Sequence, residues 1–227
     1  MILSYLIKHG RRDVVALYRK NSENIQALFK MHDINFESKA YDVDLCDEAS
    51  IQNVAKIIRD QHGFVGTVIN VAGSSKNGMS WKISKNDFMT VIQDNLLTAF
   101  LCSKEFIPDM REKQFGRIIH FSSIVGSTGI AGASSYCAAK AGLAGLTKSM
   151  SKELASKNIT VNAIALGYFN AGLINDVSDD MQSEIKKSIP MQRFGEESDI
   201  GSLIQYLISD EAKYFTGQIV NLNGGQI

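Results

Sequence analysis

The chain has 227 residues, 44% of them hydrophobic, enough to bury a sizeable core, and this length predicts one domain over residues 1–227. Its 24 Lys and Arg balance 24 Asp and Glu, so no overall field gathers nucleic acid or an anionic membrane surface. Three cysteines, Cys46, Cys102 and Cys137, lack metal-ligand or CxxC spacing; they fit reduced thiols in a cytosolic protein, and no metal site is expected.

In chain order, MILSYLIKHG is helix-like, and its apolar residues are too few for a signal peptide core. It runs into VVALYRKN, which reads as a strand over Val14–Tyr18 with a basic end, and no glycine-rich turn precedes it. A weaker strand pattern covers Phe36–Val43. Asp47–Gln61 reads as an amphipathic helix, with Ile51, Val54, Ala55 and Ile58 on one stripe and Asp47 as its cap. Strands follow at Val65–Val71, Arg117–Ser122, Ile159–Ile164 and Gln218–Leu222, and helices at Asn86–Lys113, Ser135–Lys157, Asp179–Ser188 and Glu197–Ser209. No stretch approaches the roughly 20 apolar residues of a membrane span. The alternation predicts an α/β fold, a doubly wound parallel sheet with helices on both faces. Ligands bind such sheets beyond the carboxyl ends of the strands.

The turns there carry the candidate residues. NVAGSS places Asn70, Ala72 and Gly73 at a strand end, where small residues let a flat ligand approach the backbone or simply make a turn. RIIHFSSIVG leaves Ser122 and Ser123 at another; one faces the crevice and one the layer beneath. In SSYCAAKAGLAG, Tyr136 and Lys140 lie one helical turn apart. They are either a surface pair or a proton-transfer pair in which the ammonium lowers the phenol pKa from about 10. Ser123 is suited to donating a hydrogen bond to a carbonyl oxygen as charge develops on it. Asn95 is an amide in the apolar stretch VIQDNLLTAFLCSK, structural or functional.

Together, YDVDLCD with Asp44, NVAG, Asn95, Ser123, YCAAK, ITVNAIALG, RFGEESDI and YFTGQIVNLNGG closely resemble the classical short-chain dehydrogenase/reductases, in order and spacing, from about residue 11 onward. The resemblance implies a Rossmann-like fold and an active site in which Tyr136 protonates the carbonyl oxygen and Ser123 positions it. Lys140 would lower the tyrosine pKa and bind the nicotinamide ribose, and Asn95 would hold a relay water. Asp44 and Leu45 match positions that contact adenine; Asn70, Ala72 and Gly73 match the segment along the adenosine ribose and pyrophosphate; Phe169 would offer its backbone to the carboxamide. At the end of VVALYRKN the residues Tyr18, Arg19, Lys20, Asn21 and Ser22 replace the acidic residue that binds a 2′-hydroxyl, so NADP(H) is expected, with Arg19 at the 2′-phosphate.

Within the family the chain is most similar to β-ketoacyl carrier-protein reductases, which implies NADPH-dependent reduction of a 3-oxoacyl thioester of acyl carrier protein or CoA. Arg111, Lys113, Arg117 and Lys157 are candidates for a surface that receives an acidic carrier. The family's helices corresponding to Asn86–Lys113 and Ser135–Lys157 build a dimer contact, so a homodimer or homotetramer is expected, or pairing with a homologous subunit. Two departures stand out. ALGYFNAG has Leu166 for the usual proline and Ala171 for a threonine. The family's opening strand and TGxxxGIG turn have no counterpart before Met1–Gly10, which matches the later part of the following helix, so two neighbouring strands are expected to lack a partner. These departures leave open a start upstream of Met1 and a second reading, a cofactor-poor structural subunit that pairs with an intact reductase; the shared catalytic motifs also leave open a short-chain dehydrogenase of another alcohol or ketone.

Overall fold

The computed structural model describes residues 1–19, 22–172, 174 and 177–227. At its centre are two strands, β4 (Gly116–Ser123) and β5 (Ile159–Leu166), whose β-branched runs are buried at all but the last residue. β3 (Thr67–Asn70) lies on one side and β6 (Ile219–Leu222) on the other, all in parallel register. Alternation sends successive side chains of β4 to opposite layers. Ile118 joins Val54 and Ile58 of helix α4 (Glu48–His62), Phe106 and Met110 of α6 (Thr98–Lys113), and Met150 and Leu154 of α8 (Ser134–Leu154). Ile119 packs with Leu6 of α1 (Ile2–Lys8) and Ile200, Ile204 and Leu207 of α10 (Glu197–Leu207). Helices thus cover both faces, and each fully buried Ile or Leu adds roughly 1.5–3 kcal/mol of hydrophobic stabilisation. This is the α/β doubly wound architecture expected from the alternation.

The remaining strands stand apart. β1 (Ala16–Tyr18) and β2 (Ala40–Asp42) form their own parallel pair, and β1 makes no ladder with β3. Leu17 and Val68 nevertheless share one core with α4. Every residue of β1 is only half-buried. Among the described residues, each of β1 and β3 therefore presents one edge without a strand partner, as expected.

Local chemistry explains the element ends. Asp47 caps α4 by accepting from the Ala49 and Ser50 amides. The segment Phe36–Val43 is corrected: Asn35 accepts from the Glu37 amide and starts a helical turn, α3 (Phe36–Lys39), before β2. Helix α2 (Glu23–Met31), absent from the sequence expectation, buries Phe29 completely. The long helix expected over Asn86–Lys113 is α5 (Lys85–Ile92) and α6 joined by a π-helical turn, Gln93–Leu97. A short helix α7 (Val125–Thr128) follows β4, and α9 (Asp179–Ser188) precedes α10. Among the described residues no helix is long and apolar enough to cross a membrane.

Candidate active site

Four elements converge at the carboxyl ends of β3 and β4. β4 delivers two serines with opposite fates. Ser122 is buried and donates to the Lys140 carbonyl at 2.8 Å, fastening α8 to the strand. Ser123 is half-buried and loosely held, donating to Leu166 O at 3.5 Å and accepting from Val125 N at 3.4 Å. The alternation thus assigns Ser123 to the crevice.

α8 supplies Tyr136 and Lys140 on one face, the Lys140 ammonium 5.3 Å from the Tyr136 ring centre. Gly126 makes the tight approach of α7 possible, since a Cβ there would lie 2.9 Å from the Ala141 nitrogen and the Lys140 carbonyl carbon. Lys140 is buried and donates to the Phe121 carbonyl at 2.7 Å. Burial drives its pKa down to about 8. The Tyr136 phenol is raised above the ordinary tyrosine value, chiefly by burial, with hydrogen bonding to Ser123 pulling the other way. This corrects the expected lowering by Lys140: desolvation dominates, and the ammonium is committed to Phe121. Tyr136 is a phenol rather than a phenolate at neutral pH, suited to giving a proton.

The π-helical turn supplies Asn95. Its amide nitrogen donates to Ser74 O at 2.7 Å and Val91 O at 2.9 Å, while its buried Oδ1 has no partner. That oxygen sits against Gly73, where any Cβ would collide with it and would lie 3.6 Å from Lys140 Nζ. Val71, Ala72 and Gly73 are exposed, so this backbone is accessible to a flat ligand and Asn95, Gly73 and Lys140 meet at one point. Asn70, in contrast, turns inward to Ser103 Oγ at 2.9 Å and His120 Nδ1 at 3.2 Å; its side chain ties strand to helix. Phe169 is buried in a bridge to Gly195, and its carbonyl already accepts the Ala171 amide.

A second group lies at the ends of β1 and β2. Arg19 pairs with Asp44 at 3.6 Å and with Asp94 at 3.9 Å. Asp44 also accepts from the Cys46 amide, and Leu45 packs into the core beside it. Lys20 and Asn21 lie outside the described residues. Asp94 was not singled out in the sequence, where an acid beside Asn95 reads as a solvated helix charge. It is held by Ser74 Oγ at 2.6 Å and Cys46 Sγ at 3.5 Å. Burial pushes the Cys46 thiol up to about 11 and the Cys102 thiol up to about 12, which disfavours the thiolate at both.

Two further features fall elsewhere. An open groove of about 430 Å³ runs between β2 and α4 past Asp44, away from Tyr136; the converging polar groups, not this groove, mark the chemistry. Arg117 is 1% exposed, engaged with the Ser209 and Gly116 carbonyls and with Asp210. Arg111, Lys113 and Lys157 flank the amino ends of β4 and β5, opposite Ser123. This corrects the expected carrier-docking set, which is at the wrong end of the sheet. Among the described residues no group of three or more His, Cys, Asp or Glu could hold a metal ion.

Comparison with known proteins identifies the family. A family profile described as Enoyl-(Acyl carrier protein) reductase matches residues 5–226. The chain is 38% identical over 189 residues to the 3-oxoacyl-[acyl-carrier-protein] reductase FabG of Staphylococcus epidermidis (strain RP62A), covering 83% of this chain and 78% of that protein. It is 34% identical to the FabG of Haemophilus influenzae over the same shares, and 38% identical to that of Salmonella typhimurium over 81% of this chain and 75% of the relative. The chain is an oxidoreductase that belongs to the short-chain dehydrogenase/reductase family.

Proposed function

We propose that the chain is a cytosolic reductase that converts a 3-oxoacyl thioester of acyl carrier protein or CoA to the 3-hydroxyacyl thioester with NADPH. The observation that carries this reading is the convergence of Ser123, Tyr136, Lys140 and the unpaired Asn95 Oδ1 around the exposed Ala72–Gly73 backbone. The residues fit a nicotinamide dinucleotide. Gly73 leaves the space a flat ligand needs beside Asn95 and Lys140, and Arg19, Asp44 and Leu45 stand where an adenosine end would be read. Asn70 contributes by fixing the β3 turn from beneath, and Phe169 by its backbone.

When bound, NADPH supplies the hydride for the 3-oxo carbon. Ser123 hydrogen-bonds the carbonyl oxygen, which its weak existing bonds leave it able to do. As the carbonyl π bond breaks, Tyr136 gives its phenolic proton to that oxygen, completing the hydroxyl. Lys140, held beside the Tyr136 ring by the Phe121 carbonyl, would hydrogen-bond the nicotinamide ribose. Asn95 orients a relay water through Oδ1, its amide nitrogen being fixed by two carbonyls.

The test is NADPH oxidation with acetoacetyl-CoA. Tyr136→Phe is expected to lose roughly 10²- to 10⁴-fold in kcat with unchanged NADPH affinity; equal turnover in the variant rejects the role. The structural-subunit reading draws support from the unpaired edges of β1 and β3 and from Ala171. Titration of the chain with NADPH separates the two: tight binding counts against that reading. In either reading a dimer or tetramer would form through α5, α6 and α8.

A further inference from the structure

Arg19 is the cation expected from the sequence at the 2′-phosphate, yet its guanidinium is already shared. Asp44 stands 3.6 Å away and Asp94 3.9 Å away. The two acids differ in how they are held. Asp44 is about half exposed at the end of β2, whereas the Asp94 side chain is only 14% exposed. The π-helical turn directs Asp94 inward, and Ser74 Oγ donates to its Oδ2 at 2.6 Å while Oδ1 takes the Cys46 thiol and the Arg19 guanidinium. Asp94 is thus a fixed carboxylate reaching from the β3 side of the cleft to the cation at the end of β1.

Resting on the NADPH reading, we propose that Asp94 is a specificity-determining residue for the cofactor: it engages Arg19 and thereby weakens discrimination for the 2′-phosphate. A phosphate must draw the guanidinium away from a buried acceptor and settle near two carboxylates. A 2′-hydroxyl does neither, since it is uncharged and can donate to a carboxylate. The Arg19–Asp94 pair therefore opposes NADPH and leaves NADH indifferent. Partial burial makes this matter, because a carboxylate that solvent screens poorly acts more strongly on a neighbouring charge. Asp94 positions Arg19, with no contact to the reacting carbonyl.

The experiment is titration of the 227-residue chain with NADPH and with NADH, followed by bound-nucleotide fluorescence. In Asp94→Asn, which keeps the shape and the acceptor for Ser74, the ratio of NADPH to NADH affinity is expected to rise about five-fold or more, the factor that about 1 kcal/mol at this separation gives. In Arg19→Ala the ratio falls, and adding Asp94→Asn to that variant raises it by a smaller factor than when Arg19 is present, because part of the acid's effect passes through the cation. If the Asn variant does not fold, Ser74→Ala supplies the opposite sign: freed from the serine hydroxyl, both Asp94 oxygens can turn to Arg19 and the ratio drops. An unchanged ratio in Asp94→Asn, or a gain that persists undiminished without Arg19, overturns the proposal. Binding of neither nucleotide to the wild-type chain overturns the NADPH reading itself, and this inference with it. Binding of both with no effect of Asp94 overturns this inference alone.

Discussion

Lys140 carries the charge that the fold accommodates least readily. It is 5% exposed, its Nζ has one carbonyl partner at 2.7 Å, and burial lowers its pKa from 10.5 to about 8. Its folded pKa lies below its unfolded one, so between about pH 8 and 10.5 the unfolded chain holds more protons than the folded chain. Stability contributed at this residue therefore rises with pH across that window and is lowest below it. Set against Lys140→Met, the wild type is expected to gain on the order of 3 kcal/mol between pH 7.5 and 10.5, at about 1.4 kcal/mol per pKa unit. Urea unfolding of both proteins across that range measures it, and curves that stay parallel contradict it. The sequence makes the Tyr136–Lys140 pair legible through spacing alone. It does not reveal how deeply the pair lies, and depth reversed the expected direction of the tyrosine shift. Asp94 was illegible for a related reason: its meaning depends on Arg19 and Ser74, neither of which is its neighbour on a helical face.

Elements whose chemistry is local were the most readable. β4 and β5 follow from their β-branched runs to within one or two residues, and Asp47 caps as its type suggests. Helix α2 lies outside the sequence expectation although Ile25, Leu28 and Phe29 have helical spacing, because the helix is short and packs only on the small core beside β1. The π-helical turn carries no compositional mark; it shows only in the inward set of Asn95. At this scale the helices also bear on the proposed assembly. On α8, Ala138, Ala141 and Gly145 form an exposed small-residue stripe, and Met89 of α5 and Phe100 of α6 are exposed apolar side chains. Small residues allow helices of two copies to approach closely, and burial of the apolar side chains drives the contact. Ala141→Arg, an exposed change that leaves the fold intact, is expected to shift the mass measured by light scattering to that of one chain. A wild-type mass already that of one chain, or a variant mass equal to an oligomeric wild type, refutes this interface.

The molecule as a whole is held together unevenly. β4 and β5 are buried along seven of eight residues and paired on both sides, whereas β1 has three half-buried residues and one partner. The β1–β2 pair reaches the main body through side chains, chiefly Leu17 and Val43 against the α4 core, without a backbone ladder to β3. Side-chain contact alone leaves strand-edge amides open to water, and a short ladder is broken by few simultaneous events. Local opening of β1–β2 should therefore require much less free energy than global unfolding, which the β4 and β5 amides report. Hydrogen exchange followed by mass spectrometry tests this directly. Peptides covering Ala16–Tyr18 and Ala40–Asp42 are expected to exchange at least about ten-fold faster, corresponding to 1.4 kcal/mol or more, than those covering Ile118–Phe121 and Val161–Ile164. Equal protection in all four would mean that core contacts around Leu17 couple the two sheets as firmly as hydrogen bonds do. The contrast bears on function because Arg19 and Asp44 sit at the ends of this looser pair, while Ser123, Tyr136 and Lys140 sit on the rigid one. On the proposed function, the proton-transfer geometry is thus set by the stable body, and recognition of the adenosine end would fall to the part that yields first.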